Sequence, residues 1–454
     1  MAITIHQQPT APNMVNNDLL FVLSSNQITQ AQYQYVADIY ESGSATLIQR
    51  IKQQPNPSGK GVFNVGNILT SNMESDNVWK TQGYATSSEC NKNFIVKFGE
   101  EFASSPSSSA YLYDGITTLT TGSPAKVGSE FYTITDGLVD YPDAINFNFA
   151  SGSYYTANSA SQYITFDFQH ALTTAPETQS IKEGDYLTLS LYNGNMMTPA
   201  SDIVAQDVYY CQIQWFNSSD ANIQNDELHN VLANGGAPRN ALGELWSAVA
   251  GLQTAGSRLI HFGAGVQNLD NIGIVAPSGW AYYTITFYGQ GDDGQENNDG
   301  VWASFRFNKT EGDCAYNGVR FAWKNEFGVW DYYTFALAES ANNNIERISY
   351  EQAFVPYNTT SNSATYNKAR RGATQIVNKV NRVKTANSDW LTQSEADWLR
   401  ELFFSTNVYI QDGDDFLPCV INDATLNEKT NPRTQKVFQY SINFELANNK
   451  RNRR

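Results

Sequence analysis

The sequence predicts a mainly β protein: several β-sandwich domains of the immunoglobulin or fibronectin-like kind, then a C-terminal α+β unit with one amphipathic helix. Three observations lead there. Strand-length runs of apolar and aromatic residues recur at short intervals from the N-terminus, separated by turn residues, which is the pattern of a sandwich or barrel. Of the 454 residues, 13% are aromatic and only 16% charged, so polar uncharged side chains must cover much of the surface. A single stretch near the C-terminus has helical spacing together with a helix start signal. A chain of this length holds two to four domains, each large enough to bury a core.

Residues 1–103 read as the first sandwich. Its strand candidates are ITIHQQP, LLFVLSS, YQYVADIYES, ATLIQRIKQQP, GVFNVGNIL and NFIVKFGEEF. LLFVLSS is a continuous apolar run, which predicts burial on both faces. YQYVADIY mixes β-branched and aromatic residues that fit a pleated surface. PNPSGKG is a turn. Residues 104–255 read as an inserted β-rich region. It opens on the loop-forming run SSPSSS and includes QYITFDFQ, where Ile164, Phe166 and Phe168 share a face. A short helix is predicted near NALGELWSAVAGLQ from the spacing of Leu242, Leu245, Trp246, Val249 and Leu252.

Residues 256–345 carry the strands WAYYTITFYGQ, GVWASFRFN, GVRFAW and VWDYYTFAL. Their order predicts one antiparallel meander, with NEFG turning the last pair on Gly328 at positive φ. Residues 346–454 form the α+β unit with a basic tail. There TQSE is a capping box of Thr392 and Glu395, and Trp398, Leu399, Leu402 and Phe403 follow at helical spacing, so the helix runs Gln393 to Phe404. The hairpin VYIQDGDDFLPCVI and the strand KVFQYSINFEL follow.

Composition narrows the function. The net charge of −16 disfavours general binding to nucleic acid. The cations are clustered, however: Lys368, Arg370, Arg371, Lys379, Arg382 and Lys384 lie close in sequence, and a second group ends the chain. They form either a solvated strand face and a frayed tail, or a docking surface for an acidic partner. Cys90, Cys211, Cys314 and Cys419 are far apart and make no C-x-x-C pair, which predicts free thiols in a reducing compartment and no zinc site. The first residues have no basic or apolar region of a signal peptide, and no run is long enough to span a membrane. The acceptor patterns at Asn217, Asn308 and Asn358 are then expected to be fortuitous.

Catalytic signatures are missing from the sequence. The acidic loop GDDGQENNDG, with Asp292, Asp293, Glu296 and Asp299, and the turn QDGDDF, with Asp412, Asp414 and Asp415, offer oxygen ligands suited to calcium. Neither has EF-hand spacing, so both read first as solvated turns and no metal is assigned. His6, His170, His229 and His261 form no metal-binding pair, and nothing in the sequence marks a nucleophile–His–Asp site. FGAGVQNLDNIG begins a G-x-G-x-x-G pattern at Gly263 and Gly265 but breaks it at the last glycine, with no helix expected after it, so it reads as a tight turn with close backbone approach. Neither a catalytic residue nor a cofactor is assigned, and no pair of acids stands out as a glycosidase would require.

The densest aromatic stretch is FAWKNEFGVWDYYTFAL, residues Phe321 to Leu337. Alternation puts Val329, Asp331, Tyr333, Phe335 and Leu337 on one face and Trp330 and Tyr332 on the other. One face can close a core. The second can serve as a subunit contact, or as a stacking platform for glycans in an adhesin. The subunit-interface candidates are Trp323, Trp330, Tyr332 and Tyr333 among the aromatics, and Arg370, Arg371, Lys379 and Arg382 among the cations.

Several segments together resemble one family. LLFVLSS, YQYVADIY, PNPSGKGVFNVGNIL and NFIVKFGEEF resemble the opening domain of virion structural proteins of tailed phages of Bacteroidetes, crAss-like podoviruses above all. HFGAGVQNLDNI resembles a glycine turn of these proteins, RFAWKNEFGVWDYYTFAL their N-x-F-G-x-W/F-D hairpin, and WLTQSEADWLRELFFSTNVYIQDGDDFLPCVI with KVFQYSINFELAN their C-terminal helix and hairpin. Residues 104–255 have no counterpart. The resemblance implies a non-enzymatic tail protein, a ring of the tail barrel or a tail hub, assembled in the host cytoplasm as a homo-oligomeric ring. Its partners would be copies of itself and other tail, portal or hub proteins. Genomic DNA would pass through the lumen without sequence-specific binding, and no membrane would be involved.

Overall fold

The structure, a computed structural model, describes residues 3–118, 132–135, 171–192, 208–229, 259–289, 301–310, 318–423 and 439–447, with short breaks inside the longer spans. It is mainly β, with several separate sheets and three helices among the described residues. The chain forms two compact units. One comprises Met1–Glu311 and Lys324–Asp331, the other Gly312–Trp323 and Tyr332–Arg454.

The first unit opens with the expected sandwich. A three-stranded sheet, in the order Ile3–Gln7, Leu20–Ser25, Lys60–Asn64, faces a larger sheet built on Ala31–Glu41, Leu47–Gln53 and Asn91–Ala103. Phe21 and Phe63 of the first sheet pack against Phe98 of the second, with ring centroids 5.0 and 5.8 Å apart. Alternation explains the core: Tyr33, Tyr35, Ala37 and Ile39 point inward from one strand and Phe94, Val96 and Phe98 from its neighbour. LLFVLSS departs from expectation. Leu19, Phe21 and Leu23 are fully buried, whereas Leu20 and Val22 are only half-buried, because this three-stranded sheet has a core on one face alone. GVFNVGNIL is a strand only to Asn64; its second half is the one-turn helix Gly66–Thr70.

Farther along the first unit, five strands run in the order Thr178–Ile181, Val301–Lys309, Trp280–Gly289, Val208–Asn217, Asn222–His229. A three-stranded sheet, Thr188–Tyr192, Leu259–Gly263, Tyr84–Thr86, contributes the other layer. Phe262 of that layer meets Phe287 of the five-stranded sheet edge-on at 5.2 Å, and Trp215 packs on Tyr283 at 4.6 Å. This sheet corrects the expected meander. Trp280–Gly289 and Val301–Lys309 pair with each other, but Val319–Lys324 and Trp330–Phe335 belong to another sheet. Adjacency in sequence could not show that two strands separated by only nine positions, one ending at Lys309 and the next starting at Val319, belong to different sheets. The strands with Ile164, Phe166 and Phe168, and the helix expected near Leu242, lie outside the described residues.

In the second unit, a seven-stranded sheet runs Trp330–Phe335, Val319–Lys324, Val408–Asp412, Asp415–Ile421, Ser441–Leu446, Ala373–Asn387, Ser340–Glu351. The helix Gln393–Phe404 forms as predicted, with both halves of the Thr392–Glu395 capping box present. It buries Ala396, Trp398, Leu399 and Leu402, and Trp398 lies 5.2 Å from Trp323 and 5.9 Å from Tyr333.

Cys211 and Cys419 are buried free thiols, and burial pushes each up to about 12. Cys90 and Cys314 lie outside the described residues. A thiol so raised stays protonated through neutral pH and is a poor nucleophile. Mass-spectrometric mapping after brief alkylation at pH 8 should find Cys211 and Cys419 unmodified in the native protein and modified once it is denatured.

Candidate functional site

The sequence singled out the hairpin around Gly328. Asn325, Glu326, Phe327 and Gly328 form its turn, with Gly328 at φ 81°, as expected. The Asn325 side-chain oxygen accepts from the N–H groups of Phe327 and Val329 at 3.0 and 3.2 Å, and its amide nitrogen donates to the Leu172 carbonyl at 2.8 Å. Asp331 is buried and accepts a 2.8 Å bond from the Thr173 hydroxyl. Every distinctive residue of the N-x-F-G-x-W-D stretch is therefore used inside the chain.

The aromatic interface candidates are used there too, which corrects the expectation of an open second face. Trp323 is 0% exposed, Trp330 3% and Tyr332 3%. The Trp330 indole N–H donates to the Asp76 carbonyl at 2.7 Å, and its ring meets Trp79 at 5.2 Å. Tyr332 packs near Phe416 and the Arg320 guanidinium. Tyr333 is half-buried, and burial pushes its hydroxyl above the usual tyrosine range. Alternation had assigned one face to the core; the fold covers both. The rings of Trp323, Trp330 and Tyr332 offer neither a sugar nor a neighbouring subunit a flat surface, and Tyr333 is covered on one side by Trp398 and Phe335.

The glycine turn is the close approach that the sequence indicated. A Cβ at Gly263 would overlap the Thr81 carbonyl oxygen, and one at Gly265 would lie 2.6 Å from the Asp185 carbonyl oxygen. Contrary to expectation, a one-turn helix, Val266–Asp270, does follow. The position that a dinucleotide fingerprint gives to its third glycine holds Asn268, which is fully buried. Its oxygen accepts from Leu187 N–H at 2.9 Å, and its amide donates to the carbonyls of Trp79 and Thr81 at 2.8 and 3.0 Å. The turn binds its own chain where a nucleotide-binding turn would bind phosphate.

Beside this turn a serine, a histidine and an aspartate meet, which sequence reasoning missed. Ser190 and His261 are directly opposite in adjacent strands, and Ser190 Oγ lies 2.9 Å from His261 Nδ1. His261 Nε2 lies 3.4 Å from Asp76 Oδ2. All three are buried, His261 completely. Serine hydrolases use the same three residue types, but with the nucleophile exposed to substrate. Here the hydroxyl and carboxylate satisfy an imidazole that is sealed in, as buried polar groups require.

Of the acidic turns, Asp412–Asp415 closes a tight hairpin with Gly413 at φ 61°, and 291–300 lies outside the described residues. No group of three or more metal-ligating side chains occurs among the described residues, and none of their helices is long and apolar enough to cross a membrane.

What stays open is a ribbon. Ser340–Glu351 pairs along its length with Ala373–Asn387, but only Val383–Asn387 goes on to pair with Ser441–Leu446. Over the remainder, about 30 Å at the usual rise, the two strands have no further strand partner among the described residues. All twelve residues of Ser340–Glu351 are exposed, Ile345, Ile348 and Tyr350 among them. Lys379 stands opposite Glu346 and the exposed Arg382 opposite Asn343, while Lys384 pairs with Glu339 at 2.6 Å. Lys368, Arg370 and Arg371 lie outside the described residues. The sequence offered a solvated strand face here from the cations but did not delimit the strands, because IVNKVNRV spaces its valines by threes, neither clearly alternating nor helical.

Compared with known proteins, the chain matches no family model and no curated protein.

Two substitutions separate these roles. Gly265→Ala should lower stability by about 3 kcal/mol through backbone overlap. Trp330→Ala should lower it by about 3–5 kcal/mol, as for a large buried ring. Chemical denaturation checks both. A Trp330→Ala protein as stable as the wild type, yet with lost retention on a polysaccharide column, would restore the platform.

Proposed function

We propose that this chain is a non-enzymatic structural protein of a bacteriophage virion, one that assembles as a homo-oligomeric ring of the tail between portal and tip. The observation that carries the assembly reading is the exposed ribbon. A two-stranded ribbon with solvent on both faces is marginal in water. A long edge strand with unpaired backbone groups is a template for another chain, and soluble proteins ordinarily shorten, twist or cover it. Twelve exposed residues with three large apolar side chains fit a segment that is covered on assembly.

The placement in a phage tail rests on the segments that resemble tail ring and hub proteins. A mainly β chain with several separate sheets suits that role. A net charge of −16 would let DNA slide along a lumen rather than adhere to it. The glycan-adhesin alternative loses its support with the burial of Trp323, Trp330 and Tyr332.

Negative-stain electron microscopy with mass photometry tests the reading. The purified protein at high concentration should give closed rings of uniform size. Monomers under all conditions, with and without neighbouring tail proteins, would refute it.

A further inference from the structure

We propose that the ribbon of Ser340–Glu351 and Ala373–Asn387 in one copy docks on the acidic helix-and-hairpin segment, residues 389–415, of a second copy. This names the contact within the oligomer proposed above and rests on that reading.

Charge is the first argument. Residues 340–387 carry seven Lys and Arg against two acids, a net +5 in a chain of −16, so the rest of the chain stands at −21. The acidity is uneven as well. Residues 389–415 hold seven Asp and Glu against Arg400 alone, a net −6. Asp389 and Asp397 are exposed at the helix, and Asp412, Asp414 and Asp415 at the hairpin turn. The two strands of the ribbon themselves hold Arg347, Lys379, Arg382 and Lys384 against Glu346 and Glu351, a net +2, so one unit carries a basic element and a strongly acidic one. In the isolated chain the first strand of the ribbon is exposed throughout among the described residues.

Apolar exposure is the second argument. Ile345 and Ile348 are 49% and 52% exposed on the ribbon. They sit at odd and even positions of one strand, hence on opposite faces. On the acidic segment Trp390 is 64% exposed just before the helix and Phe404 61% exposed at its end. Exposed aromatics ringed by charge are the composition of an interface centre. Phosphate alone would need the cations but not the aliphatic side chains, which is why a protein surface is favoured over nucleic acid.

The two elements are different surfaces of each copy. Such a contact is head-to-tail and repeats from copy to copy, so it closes into a ring when the rotation allows.

Charge reversal tests the contact on the full-length protein, treated with nuclease and followed by mass photometry and negative-stain microscopy. Arg347→Glu with Arg382→Glu reverses the ribbon, and Asp412→Lys with Asp414→Lys reverses the receptor. All four side chains are exposed, so thermal melting should fall by no more than a few degrees. Each variant alone should need roughly tenfold more protein to oligomerise. An equimolar mixture should regain wild-type association, because each reversed surface then meets its complement. Failure of the mixture to recover, or wild-type behaviour of either variant alone, overturns the proposal. A chain shortened by joining Asn344 to Asn381 through Asn-Gly should form no rings. Rings from that chain would overturn the ribbon contact and leave the ring reading standing. A wild-type chain that never oligomerises would remove both. Oligomers that disappear on nuclease treatment would make nucleic acid the ribbon's partner and overturn the proposal.

Discussion

The second sandwich of the first unit depends on one side-chain amide. Asn268 accepts from Leu187 and donates to Trp79 and Thr81, joining segments separated by as much as 189 residues. Buried backbone groups must find partners, and loops converging on a glycine turn cannot all find them in a sheet. The amide fits because it is donor and acceptor in one small plane. The glycines beside it exist for the same reason: two other backbones pass where their Cβ atoms would be. Asn325 solves the corresponding problem at the hairpin turn, tying Phe327, Val329 and Leu172. The glycine turn, read in sequence as a close backbone approach, and the aromatic hairpin, read as a core strand pair with an open face, are both devices for closing the chain on itself.

This inward use of polar and aromatic groups shapes what is left for function. Ser190, His261 and Asp76 saturate one another in the interior, and Trp330 holds the carbonyl of the same Asp76. The cost of burying a polar group is offset only when its partner is also in place. Such a group therefore marks where the fold is most constrained. The same chemistry at a surface would have meant a site.

The ribbon is the opposite case. It has regular backbone pairing, no second layer covers it among the described residues, and the apolar residues of Ser340–Glu351 face water. A strand pair gains most of its stability from packing against another layer. Its local charge is opposite to that of the chain as a whole. These two imbalances, apolar and electrostatic, fall on one element and make it the surface most in need of a partner.

The capping box, the Gly328 turn and the strand YQYVADIY were legible from the sequence because each is a local rule: a hydrogen bond within four residues, a positive φ, a run of β-branched and aromatic residues. The sequence by itself therefore determined that the protein is mainly β, where its long helix lies, and that the glycine turn is a close backbone approach. It could not decide which strands share a sheet, so four consecutive strands that read as one meander divide between two sheets. Nor could it show that Trp330 and Tyr332 are covered, or that Ser190 faces His261, since burial and pairing depend on groups more than seventy residues away. Tertiary structure decided these, because alternation tells a side chain which face it occupies and only the fold supplies what lies against that face.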